Sequence, residues 1–166
     1  MTKQVLFVQG GGDGTHDDWD NKLVESLSKE LGPGYEIRYP VMPNEANPSY
    51  AAWKEVLETE IAALKSGAVL VGHSLGGTIL INVLAERAPK RAAAIFLIAA
   101  PFVGEGGWTS EDIKPDFAVR LPKGSFSIMA ARTRSRLLHM LTCMPKLFPA
   151  HMYAACKAAI INSTTI

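Results

Sequence analysis

The chain has 166 residues, 48% of them apolar and 20% charged, and a net charge of +1. That is one domain's worth of a soluble, globular chain, long enough for a substantial core. The near-neutral balance gives no overall case for nucleic acid or a membrane surface, and no apolar run is long enough to span a bilayer. The opening residues read as running directly into a strand, so a signal peptide is not expected, and Cys143 and Cys156 have neither metal-ligand spacing nor the look of a disulfide framework. A cytoplasmic protein without a metal is the simplest expectation.

The average hides a break. All 16 acidic residues lie between Asp13 and Asp116. Ser125 to Ile166 holds none, but holds Arg132, Arg134, Arg136, Lys146 and Lys157. The first 124 residues therefore carry −4 and the rest +5.

Gln4-Val5-Leu6-Phe7-Val8 predicts a first strand, ended by Gly10-Gly11-Gly12. Asp17-Asp18-Trp19-Asp20 predicts the capped start of a helix to about Leu31, with acids suited to the dipole of its first turn. Gly32-Pro33-Gly34 stops it, and Tyr35 to Tyr39 alternates as a second strand. Pro40 to Pro48 is a loop. Ser49 caps a helix to about Lys65 with Trp53, Val56, Leu57, Ile61 and Leu64 on one face. Ala68-Val69-Leu70-Val71 is a short buried strand, Thr78 to Arg87 a helix closed by Pro89, and Ala93 to Ala99 a fourth strand. This alternation predicts an α/β fold, a doubly wound, mainly parallel sheet with right-handed crossovers and helices on both faces. Gly104 to Pro122 is loop with room for one short helix. The tail breaks the pattern: Ser125 to Ala131 is a poor strand candidate, and Leu137 to Met144 and Met152 to Ile161 are helical stretches without clear caps.

Between the third strand and its helix stands Gly72-His73-Ser74-Leu75-Gly76, which fits Gly-x-Ser-x-Gly, the nucleophile elbow of the α/β-hydrolases. The chemistry needs this layout. A sharp strand-to-helix turn lifts Ser74 Oγ out of the sheet, and flanking glycines leave room for the strained backbone. The turn also aims the Leu75 N–H, at a helix N-terminus, toward a developing oxyanion. A glycine-rich turn with an incidental serine is the plain alternative; the strand and helix around the motif favour the elbow.

The Gly10-Gly11-Gly12-Asp13-Gly14 loop is neither a dinucleotide fingerprint, since Thr15 stands at the third glycine position, nor a P-loop. In a hydrolase the loop after an early strand supplies the second oxyanion N–H, which Gly11 or Gly12 could do. A plain tight turn explains the glycines equally well. His16 and Trp19 lie just beyond and, with His73, are the candidate pocket residues; a loop histidine and a core tryptophan are the plain reading of the first two.

A triad should run serine, acid, histidine. Glu86, Glu105, Glu111, Asp112 and Asp116 follow Ser74, as do His139 and His151. Ser74, Asp116 and His139 satisfy the order, but Asp116 does not follow a buried strand and neither histidine has a loop signature. They read as incidental.

The chain resembles the small single-domain α/β-hydrolases related to retinoblastoma-binding protein nine. The resemblance rests on Val5 to Gly12, His16 and Trp19, Pro40-Val41-Met42-Pro43, Trp53, Gly72 to Gly77, and Ile95 to Pro101. It covers residues 1–124, the hydrolase core. It implies a serine hydrolase acting on small carboxylic esters, with no cofactor. Relatives carry their aspartate in a Tyr-His-Gly-Arg-Asp-like segment and their histidine in a Gly-Arg-Asp-His-Gln-like segment, and neither occurs here.

The genetic code offers a reason. Reading each codon's third base with the next two bases forces Gly at Met129-Ala130, Ala at Met144-Pro145 and Val at Met152-Tyr153, and permits His at Ile128-Met129. Ser127 to Ala130 can then read Tyr-His-Gly-Arg, and His139 to Lys146 can read His-Ala-Asp-Leu-Tyr-Ala-Lys-Ala. Tyr153 to Thr165 can read Arg-Arg-Leu-Gln-Gly-Arg-Asp-His-Gln-Leu-Asn-Asn-Asp. The matches fall in family order and in one frame. Residues 125–166, an atypical basic tail, thus read as a frameshifted translation of a hydrolase C-terminus, and catalysis in this chain is expected to be impaired. The rivals are a non-catalytic binding module whose basic tail meets an acidic partner, and an acyltransferase. Oligomeric state stays open.

Overall fold

The computed structural model describes residues 2–87, 92–101 and 127–131. Strand β1 (Lys3–Val8) leads through a π-helical turn (Thr15–Asp20) into α1 (Asn21–Leu31), and β2 (Tyr35–Arg38) follows. Then come α2 (Tyr50–Ala63), β3 (Ala68–His73), α3 (Ser74–Glu86), β4 (Ala92–Ile98) and β5 (Ser127–Ala131). The strands form one parallel sheet in the order β2-β1-β3-β4-β5.

Side-chain alternation along the strands divides the core in two. Leu6, Val8, Leu70, Ile95 and Leu97 pack with Trp53 and Leu57 of α2 and Ile79, Leu80 and Leu84 of α3. Val5, Phe7, Val69, Val71, Ala94 and Phe96 face the other way, onto Leu27 and Leu31 of α1. The sheet therefore has helices on both faces, as the near-continuous apolar strands require. Each fully buried Leu, Ile or Phe side chain contributes roughly 1.5–3 kcal/mol. Of the apolar face expected on α2, Trp53 and Leu57 are buried, as is Leu64 just past its end, while Val56 and Ile61 pack at the margin.

The strand order places the site. From β1 the chain steps outward to β2, then returns past β1 to β3. The direction of winding reverses between β1 and β3, and such a switch point opens a crevice at the carboxyl ends of those strands. There Val8 stands opposite Gly72, so the loop after β1 faces the start of α3.

Three expectations are revised. Asp17 to Asp20 do not cap a helix: the π-helical turn precedes α1, and Asp20, at the N-cap of α1, makes no side-chain cap bond. The helix after the third strand begins at Ser74, not near Thr78, because the elbow turns directly into it. The poor strand candidate in the tail is strand β5, which pairs with β4 from Ala94 opposite Ser127 to Ile98 opposite Ala131. The break in composition is thus not a break in the sheet. Strand pairing uses backbone groups, so a weak side-chain pattern does not prevent it. The helical stretches 137–144 and 152–161 lie outside the described residues, as do Asp116, His139 and His151.

Candidate active site

Ser74 has φ 48°, in the left-handed region that a side chain enters only under strain, at a cost of about 1–3 kcal/mol. The surroundings leave it no other path. A Cβ on Gly72 would stand 2.5 Å from Gly77 Cα, one on Gly77 2.8 Å from the Gly72 oxygen, and one on Gly76 1.9 Å from the Gln9 carbonyl oxygen. Strand, turn and helix are in backbone contact, and the last of these contacts presses the first turn of α3 against the end of β1. Only glycine fits at 72, 76 and 77. The result is a serine held on a tight strand-to-helix turn, half-buried at the crevice, with the Leu75 N–H in the first turn of α3, where backbone donors have no partner within the helix.

The loop after β1 is tied down from several sides. The Gly10 N–H donates to Asp20 Oδ2 at 2.7 Å, and the Gly12 N–H donates to the Glu45 carbonyl. Gly12 is therefore already committed, and of the two glycines considered for a second oxyanion donor only Gly11 keeps an N–H without a partner among the described residues. Gly11 also abuts the elbow: a Cβ there would lie 2.8 Å from Leu75 Cδ2 and 2.9 Å from Pro48 Cγ. The Glu45 carboxylate accepts from Gln9 Nε2 and from the His16 N–H, and Gln9 Oε1 accepts the Met42 N–H. Trp53 Nε1 donates to the Pro43 carbonyl, fastening the 40–48 loop to α2.

The candidate pocket residues separate. His73 is half-buried, with Nδ1 3.0 Å from Asp20 Oδ2 and 2.8 Å from Oδ1, so its ring turns toward the loop after β1. His16 stacks on Tyr39 with ring centroids 4.2 Å apart, and its Nδ1 lies 2.6 Å from Asp17 Oδ1. Trp19 is 62% exposed, with the Lys22 ammonium 5.6 Å from its ring centroid, which removes the core tryptophan as an alternative. The Tyr39 hydroxyl donates to the His16 carbonyl, and burial, followed by the nearby charges of Asp20, Glu45 and Asp17, pushes its phenol upward.

Of the later acids only Glu86 is described. It ends α3, about 18 Å of helix from Ser74. It accepts from Tyr50 Oη and Lys54 Nζ, whose bond to it raises the lysine pKa, so Glu86 has no part in the serine's chemistry. Among the described residues no carboxylate or histidine bonds to Ser74 Oγ, and no cluster of side chains suits a metal ion. No helix of the described residues is long and apolar enough to cross a membrane.

Asp20 and Glu45 are the residues that sequence reasoning missed. Asp20 hides among acids that read as helix caps, and Glu45 among the prolines and asparagines of a loop. Their partners lie 10 to 53 residues away for Asp20 and 29 to 36 for Glu45, so no local pattern could have revealed them.

No curated protein matches the chain. Among solved structures, the product of the ydeN gene of B. subtilis superposes with a TM-score of 0.55 at 24% identity, over 78% of this chain and 71% of that one. An extracellular alpha/beta-hydrolase from a Paenibacillus species gives 0.46 at 19%, over 60% of this chain and 41% of that one. Alpha/beta hydrolase domain-containing protein 10 from mouse gives 0.47 at 21%, over 60% and 42%. The chain thus spans about two fifths of the length of the last two. The profile of the Alpha/beta hydrolase family matches residues 5–161, nearly the whole chain and past the compositional break. Strand order, elbow and family match agree, and the chain belongs to the alpha/beta hydrolase family.

Proposed function

We propose that Ser74 is the nucleophile of a serine hydrolase that acts on small carboxylic esters and uses no cofactor. The observation that carries this reading is the strained Ser74 at the switch point, at the start of α3, with Gly10 packed against its Cβ and Gly11 against Leu75. Ser74 Oγ attacks the acyl carbon and gives its proton to a base. The carbonyl oxygen takes the negative charge and is held by the Leu75 and Gly11 N–H groups. The alcohol leaves with a proton as the acyl-enzyme forms, and water then releases the acid and frees Ser74.

The base is what this chain lacks among its described residues. We place the protein with the small hydrolases related to retinoblastoma-binding protein nine, and we read residues 125–166 as the product of a shifted frame. Support comes from the three codon matches and from where the first of them falls. Ser127 to Ala130, which can read Tyr-His-Gly-Arg, lies on β5. The segment that carries the family's aspartate would thus stand at the carboxyl end of the strand beside β4, on the same edge of the sheet as Ser74. A triad missing its acid and base retains oxyanion-hole catalysis but loses about 10⁴- to 10⁶-fold in kcat.

The experiment has two arms. A fluorophosphonate probe should label the chain slowly and the Ser74→Ala variant not at all. A chain with the reading frame restored near the codons of Gly124 or Ser125 should hydrolyse a chromogenic acetate ester at least about 10⁴-fold faster. Equal labelling of wild type and Ser74→Ala refutes the nucleophile; a restored chain no faster than the original refutes the shifted frame. Product analysis with an alcohol present separates hydrolysis from acyl transfer.

A further inference from the structure

We propose that Asp20 is a positioning residue that ties the loop after β1 to the nucleophile elbow and so holds the two oxyanion donors in register. This rests on the reading of Ser74 as nucleophile.

Asp20 is 1% exposed, and it is the one ionisable residue in the buried set of the described residues. Burying a carboxylate is costly unless charge-assisted bonds replace its water. Its own helix does not use it, because α1 has no side-chain cap bond. The carboxylate turns inward to two partners from separate segments. One is the Gly10 N–H, next to Gly11; the other is His73 Nδ1, next to Ser74. Oδ2 is within reach of both, at 2.7 Å from the Gly10 nitrogen and 3.0 Å from His73 Nδ1, and Oδ1 lies 2.8 Å from the same Nδ1.

The neighbouring geometry shows why a tether is needed at this point. A Cβ on Gly10 would lie 3.3 Å from His73 Nδ1 and equally from Ser74 Cβ. Gly10 thus rests directly on the elbow, and a shift of its backbone moves the Gly11 N–H against the Leu75 N–H. The π-helical turn Thr15–Asp20 delivers the carboxylate to this contact. An extra residue in a helical turn carries a cost, and such turns gather at functional sites. Among the described residues Asp20 bonds to Gly10 and His73 and not to Ser74 or Leu75, so its action is through the segments it holds.

The test uses Asp20→Asn, which keeps the shape and an acceptor oxygen but removes the charge, beside Asp20→Ala. In proton–nitrogen spectra of the full chain, Asp20→Asn should move the Gly10 amide proton and the His73 Nδ1 proton upfield together, because charge-assisted bonds become neutral ones. Movement of neither, or of only one, overturns the proposal. Fluorophosphonate labelling of Ser74 should fall on the order of 10- to 100-fold in Asp20→Ala, the effect of misplacing a catalytic group by about 1 Å, and recover in part in Asp20→Asn. Labelling of Asp20→Ala within about twofold of wild type also overturns it. Should Asp20→Ala not fold, the Asp20→Asn spectra decide. If wild type and Ser74→Ala label alike, the nucleophile reading fails, and the spectra still show whether Asp20 joins the two segments.

Discussion

Gly76→Ala puts one methyl group where the structure has no room. Its Cβ would stand 1.9 Å from the Gln9 carbonyl oxygen, 2.9 Å from the Gln9 carbonyl carbon and 3.0 Å from Val8 Cγ1. Ordinary contact begins near 3.4 Å, so β1 and α3 must separate by about 1.5 Å. Alanine favours the helix over glycine by roughly 0.5–1 kcal/mol. Overpacking costs about 1–3 kcal/mol, and the upper end applies here because the obstacle is backbone that cannot rotate away. The net is a loss of about 2 kcal/mol, which lowers Tm by roughly 4–8 °C in a chain of this size. The same displacement carries Gln9, and with it Gly10 and Gly11, away from Ser74. Labelling of Ser74 should therefore fall about 100-fold even at temperatures where the variant is folded. Thermal unfolding and fluorophosphonate labelling are measured together, with Gly34→Ala as the control. Gly34 has nothing within 4 Å of an added Cβ, and its variant should stay within about 1 kcal/mol of wild type. A Gly76→Ala protein as stable and as readily labelled as Gly34→Ala would show that the elbow does not press on β1.

Trp53→Ala removes a fully buried side chain and the bond to the Pro43 carbonyl, and should cost about 3–5 kcal/mol in urea unfolding. Glu45→Ala strands Gln9 Nε2 and the His16 N–H; a loss of about 2–3 kcal/mol is expected, with most of it recovered in Glu45→Gln. Tyr39→Phe removes the bond to the His16 carbonyl and should cost about 1 kcal/mol near neutral pH. The folded phenol titrates above its ordinary 10.0, so its contribution is complete below that pH and is lost as the pH rises beyond it. The gap between Tyr39→Phe and wild type should therefore narrow above pH 10.0, and urea unfolding of both at rising pH that shows a constant gap refutes the assignment.

Much of the fold was legible because its signals are local. Apolar runs marked β1, β3 and β4, glycine and proline marked the ends, and the period of α2 pointed Trp53 and Leu57 inward. The elbow was legible for the same reason, since its five residues are contiguous. The tail strand was not, because its pairing with β4 rests on backbone hydrogen bonding across the sheet. Nor was the choice between Gly11 and Gly12, which are alike in sequence and are told apart by the Glu45 carbonyl, which reaches the Gly12 N–H, and by Leu75, which packs against Gly11.

The sequence by itself determined the alternation of strands and helices, the parallel sheet and the place of Ser74 at a strand-to-helix turn, because periodicity and glycine spacing act over a few residues. Tertiary structure decided that the Gly12 N–H is taken by the Glu45 carbonyl, that Trp19 faces solvent, and that Asp20 faces the elbow and not its own helix. Those outcomes depend on groups 10 to 53 residues apart meeting in a crevice that exists only once the winding of the sheet reverses between β1 and β3.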